Sequence, residues 1–194
     1  MPQVQVQEDR TLQTRGRKTQ GQEIACGERK PATRRTVMHP LMNIIRLTEF
    51  VAESNRIEGI TRPPTVSEVQ EAERFLELKI VTIEDLEQFV SVYQPGARLR
   101  ETRGLDVRVG SHIAPRGGPE LVISLSVILT KVAGGDLTQF TAHLRYEFLH
   151  PFTDCNGRSG RMLWLWQMLR QYQFPNLSFL QHWYYDTLDN ADDR

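Results

Sequence analysis

Two cysteines in 194 residues, Cys26 and Cys155, are too few for a disulfide framework. No apolar run approaches the ~20 residues of a membrane span, and the first residues lack the apolar stretch of a secretory signal. Formal net charge is zero, so no global field draws the chain towards nucleic acid or an anionic membrane. No internal repeat is present. Together these absences argue against a secreted disulfide scaffold, a membrane span and a general polyanion binder. The expectation is a soluble, cytoplasmic protein with reduced thiols and neither membrane nor nucleic-acid partners, with a non-Sec export route left open.

The charge that is present is uneven. Residues 1–36 carry eight Lys/Arg against four Asp/Glu and almost no large apolar side chain. Such a stretch cannot bury enough surface to offset its ordering entropy, so a flexible basic tail is predicted over 1–36. A helix-bearing segment over 37–64 and a core domain over 65–194 follow. Apolar spacing predicts a helix from Val37 to Ala52 with Leu41, Ile44, Ile45, Leu47 and Val51 on one face, closed by Gly59 and Pro63-Pro64. Thr65 and Glu68 form a capping box for a helix to about Leu78, with Val66, Val69, Ala72 and Leu76 inward. Thr82 and Asp85 open the next, whose inward residues are Leu86, Phe89, Val90 and Tyr93. Leu105 to Arg116 is rich in Val and Gly and predicts a short β-hairpin. Helices resume at about Glu120–Ala133 and Thr138–Leu149. The fold class expected is all-α, a helical bundle with one hairpin. Trp164, Trp166 and Trp183, beside Leu163, Leu165, Met168 and Leu169, suit a core or a subunit contact better than ligand stacking.

The densest chemistry lies in His150-Pro-Phe-Thr-Asp-Cys-Asn-Gly-Arg-Ser-Gly-Arg161. Pro151 stops the preceding helix, and a further helix is expected from Arg158 to about Tyr172, so the run is a loop leading into a helix N-terminus. Backbone N–H groups and the helix dipole favour a phosphate there. His150, neutral near physiological pH, suits a general base. Asp154 offers a hard oxygen to Mg²⁺, or an N-cap to the helix. Asn156 could also cap, or donate its amide to a phosphate oxygen. Gly157 permits close backbone approach. Arg158 and Arg161, three apart, should project from one side of the helix, where their guanidinium forks match phosphate oxygens. Together these features point to chemistry on a nucleotide.

The run resembles the signature of the Fic/Doc family, H-P-F-x-[D/E]-G-N-G-R-x-x-R. Cys155 departs, standing where that family usually has Gly or Ala. If the position needs a positive φ, a Cβ there costs activity; the rival expectations are a tolerated small side chain and a low-pKa, oxidation-sensitive thiolate. The resemblance implies a Fic fold over roughly residues 37–190 and transfer of AMP from Mg²⁺-ATP to a Tyr, Thr or Ser hydroxyl of a target protein. It implies His150 as base, Asp154 as metal ligand, and Cys155, Asn156, Gly157, Arg158 and Arg161 around the phosphates.

Upstream, Ser54-Asn-Arg-Ile-Glu58-Gly59 fits [S/T]-x-x-x-E-[G/N], the inhibitory-helix motif of many such proteins. Ser54 and Glu58 share one helix face. The resemblance implies that Glu58 pairs with Arg161 and restrains the enzyme, the 37–64 segment being its inhibitory helix. It also implies that the hairpin Val107, Arg108, Val109, Gly110, Ser111, His112 and Ile113 is a flap that pairs with an extended segment of the target. His112 reads better as a surface turn residue than as a catalytic one. Self-modification and a homodimer are compatible with this reading. The alternatives are transfer of a phosphoryl, UMP or phosphocholine group, removal of AMP, or a nucleotide-binding regulator impaired by Cys155.

Overall fold

The computed structural model describes residues 44–109 and 112–171. The expected tail, the start of the first helix with Leu41, the hairpin tip Gly110-Ser111 and Trp183 lie outside them. The described residues are predominantly helical: α1 (Ile44–Ile57), α2 (Val66–Glu77), α3 (Ile83–Tyr93), α4 (Pro119–Gly134), α5 (Gln139–Leu149) and α6 (Asn156–Arg170). One hairpin, β1 (Arg108–Val109) and β2 (His112–Ile113), interrupts them, with Arg108 opposite Ile113 and Val109 opposite His112.

Local chemistry sets the helix starts. Both expected capping boxes form, Thr65 with Glu68 on α2 and Thr82 with Asp85 on α3. Each satisfies two N–H groups that the first helical turn leaves without partners. The face of α3 is as predicted, with Leu86, Phe89, Val90 and Tyr93 buried.

Two other faces are rotated from expectation. On α1, Leu47 and Val51 are buried with Phe50, but Ile44 is about half exposed. On α2 the buried residues are Glu68, Glu71, Ala72 and Phe75, while Val66 is exposed and Val69 and Leu76 are only partly covered. Phe75 fills the core, and two hydrogen-bonded glutamates take the flank where apolar side chains were expected.

Helix α6 is central, packing against α1, α2, α3 and α5. A helix buried on every side has no solvent stripe, and the run from Arg158 to Gln167 is buried without a break. Trp164 and Trp166 are core residues, and the Trp166 indole donates to Leu78 O at 2.9 Å at the end of α2.

The loop before α6 is built on a distant partner. Leu99 and Phe152 form an antiparallel bridge; Arg100 N donates to Pro151 O at 2.9 Å and Thr153 N to Arg98 O at 3.0 Å. The segment after α3 is therefore the main-chain rail on which the 150–155 loop lies.

Candidate active site at the N-terminus of α6

His150 caps α5 in the left-handed region, φ 49°. Its Nδ1 donates to Glu147 O at 3.3 Å, which fixes the tautomer and leaves Nε2 as the proton acceptor. Burial lowers its pKa, and Arg100 and His112 add to that, against weaker opposing pulls from the Glu147 carbonyl and Glu58. The ring is neutral at neutral pH, as a base must be.

Asn156 is the first residue of α6, two residues before the expected start, and it caps nothing. Its Oδ1 accepts from Phe152 N and its Nδ2 donates to Phe152 O, both at 2.8 Å. Asn156 thus closes the loop on itself. Nor is Asp154 the N-cap: it lies one residue earlier, exposed, and accepts from Cys155 N at 2.5 Å. An exposed carboxylate beside a helix N-terminus fits Mg²⁺, which takes one or two carboxylates and draws its other oxygens from phosphate and water. Among the described residues no group of three or more His, Cys, Asp and Glu forms a cage, so a phosphate ligand would have to complete such a site.

Cys155 is the N-cap, at φ 68°. The position does need a left-handed backbone, the physical reason a glycine suits it, and a Cβ there costs about 1–2 kcal/mol. The low-pKa thiolate expectation fails. Burial pushes the thiol up to about 12, outweighing the nearby arginines.

Arg161 is almost wholly buried, and the arm that meets it comes from 103 residues upstream. Its Nη2 donates to Glu58 Oε1 at 2.6 Å and to Ser54 O at 2.9 Å, and its Nε to Ser54 Oγ at 2.9 Å. Glu58 sits just past α1 and keeps 36% of its side chain exposed; Gly59, at φ 74°, turns the chain away. A Cβ on Gly157 would come within 2.3 Å of Glu58 Oε1. The glycine lets the carboxylate lie flat on the first turn of α6, where the N–H groups and dipole favour an anion.

The root of this arm was not foreseen. Arg62 donates both Nη atoms to Glu68, each at 2.8 Å, and Glu68 also accepts from Thr65 N and Asn55 Nδ2. Burial of Glu68 opposes ionisation, but these donors outweigh it and bring its pKa to about 2. A sequence cue existed: an arginine inside the turn, three residues ahead of a capping box.

Arg158 does not share the side of Arg161. It is buried against the end of α3, donating to Tyr93 O and Gln94 Oε1, both at 3.0 Å. His112 is not a surface turn residue either. It lies half-buried on β2, its Nε2 bonded to Phe148 O at 3.0 Å and its ring edge-on to Phe148. It docks the hairpin on the last turn of α5, while Arg108 and Ile113 face solvent. Behind α6, His143 and Glu147 form a buried pair at 3.8 Å that packs against Gly160; burial, with Arg161 adding, takes the His143 pKa down to about 4.

No protein-family model matches this chain, and no curated protein matches it significantly.

Proposed function

We propose that this protein is a Fic-type adenylyltransferase held at rest by its own α1. The observation that carries the reading is the Glu58 carboxylate on Gly157, paired with Arg161 in the anion seat of α6, beside a neutral histidine. Two motifs far apart in sequence meet where a nucleotide phosphate would be wanted. With Glu58 swung out, Arg161 and the N–H groups of α6 would receive the outer phosphates of ATP. Mg²⁺, held through Asp154 and the phosphates, would supply charge neutralisation.

His150 Nε2 then takes the proton of a Tyr, Thr or Ser hydroxyl. The hydroxyl oxygen bonds to the α-phosphorus, the bond from that phosphorus to the bridging oxygen breaks, and pyrophosphate leaves with the electron pair. Positioning and charge neutralisation supply most of the acceleration. The target's extended segment would pair with the hairpin edge.

A second reading has its own support: Cys155 in a left-handed position and Arg158 turned into α3 both favour a nucleotide-binding regulator with little turnover. Label transfer from ATP separates the two. Using α- or γ-labelled ATP and Mg²⁺, α-label on protein in Glu58→Gly, weak in wild type and absent in His150→Ala, supports restrained adenylylation. Bound ATP with no label in any variant favours the regulator. Protein-bound γ-label would instead indicate phosphoryl transfer.

A further inference from the structure

The side chain of Arg100 is fully buried, and the residue touches the catalytic loop, the start of α4 and the hairpin. Its N–H donates to Pro151 O at 2.9 Å, in the loop next to His150. Its carbonyl accepts from Gly118 N at 2.8 Å, at the start of α4. Its guanidinium reaches the exit of the hairpin, where Nη2 donates to Pro115 O. The base of the hairpin closes tightly around this point: a Cβ on Gly117 would come within 2.8 Å of both Thr102 O and Leu105 O, and within 3.1 Å of Arg100 O. Asp106 fastens the same base by accepting from Gly117 N at 2.9 Å.

The Nε and Nη1 groups of Arg100 are buried with no hydrogen-bond partner among the described residues. A buried cation whose one side-chain hydrogen bond goes to a carbonyl, with only the charge of Asp106 opposing its burial, is a costly way to fill space, and an apolar side chain of similar length would fill it at lower cost. Its location favours a use for the charge. The charges of Arg100 and His112 act to lower the His150 pKa and that of Glu58 to raise it, beside burial and the Glu147 carbonyl of its own helix.

We infer that Arg100 is a positioning residue that ties the hairpin to the catalytic loop: its guanidinium holds the exit of the hairpin at Pro115 O while its own backbone N–H holds the loop at Pro151 O. Its charge disfavours a second positive charge on the imidazole, which keeps the ring able to accept a proton. The importance of that for turnover rests on the adenylyl-transfer reading; the coupling itself does not.

The test therefore uses readouts that need no nucleotide. In Arg100→Met, which keeps length and loses charge, the NMR titration midpoint of the His150 ring should rise. Amide exchange at His112 and Ile113 should quicken several-fold. Arg100→Lys should hold the midpoint near that of wild type while still loosening the hairpin, because charge remains but the planar fork does not. A Met variant that titrates and exchanges like wild type would overturn the inference and leave Arg100 as packing. Should the Met variant fail to fold, Arg100→Gln, with one amide for Pro115 O and no charge, carries the same test. If wild type transfers no label yet these shifts appear, the functional reading falls and the coupling stands.

Discussion

The two flanks of α6 present the two arginines of one motif in opposite circumstances. On the α3 flank, Arg158 is bonded to a main-chain carbonyl and an amide, neutral groups fixed in place. On the α1 flank, Arg161 is bonded to a carboxylate more than a third exposed at the end of an arm. On the proposed reading, another anion could take the place of a partly exposed carboxylate. A carbonyl at a helix end cannot leave without undoing the helix end. The same residue type therefore meets neutral groups on one flank and a carboxylate on the other, and on the proposed reading only the second is exchangeable.

The comparison breaks most visibly in label transfer. Glu58→Gly should raise self-modification at least tenfold, whereas Gln94→Ala, the matching change on the other flank, should leave the rate within about twofold. In the Glu58→Gly background, adding His150→Ala should lower the rate by about 10²–10⁴, the usual worth of a general base. Equal transfer by wild type and Glu58→Gly would show that the arm does not restrain the site.

Stability should divide the flanks in the reverse order. Arg158→Met leaves Tyr93 O and Gln94 without donors in a buried place and should cost about 3 kcal/mol, or about 6–12 °C in melting temperature. Glu58→Ala should cost under about 1 kcal/mol, since Ser54 still accepts two hydrogen bonds from Arg161. Similar losses from both would erase the distinction.

Acid sharpens the comparison on the α1 side. The pKa of Glu68 is lowered in the folded state to about 2, so its contribution is present above the unfolded carboxylate value and fades as pH falls towards 2. Wild type should therefore lose about 1–2 kcal/mol between pH 4.5 and 2 that Glu68→Gln does not, a modest figure because Arg62 is half exposed. Denaturant midpoints across that range measure it.

The smallest effect concerns Cys155. With Cys26→Ser in both, the folded thiol should be at least tenfold slower towards an alkylating reagent at pH 8 than the unfolded one, because it is buried and protonated. A reactive native thiol would reinstate redox control.

What was legible in the sequence was local or carried by motif. Capping boxes, the face of α3, the hairpin and the meeting of Glu58 with Arg161 could be expected from residue types at short spacing and from the family resemblance, whereas the two bonds from Arg161 to Ser54 were not foreseen. What was not legible depends on partners far along the chain. The rail from Arg98 to Arg100 pairs by main chain alone, so no side-chain pattern announces it. Arg158 and Arg161 look equivalent at three-residue spacing until α3 and α1 claim opposite flanks. Val66 and Ile44 read as core because periodicity counts apolar residues but does not see which flank a neighbour covers. The start of α6 was missed because Asn156 spends its side chain on Phe152, a bond that a cap reading does not contemplate.

The 103 residues between Glu58 and Arg161 also set an order in time. A ribosome making about 5–20 residues per second completes the arm about 5–20 s before it makes the seat. During that interval the carboxylate has no arginine to meet. Histidine, loop and both arginines then leave the tunnel within a dozen residues of one another. On the autoinhibited reading proposed above, the arm that would close the site is therefore made before the site itself.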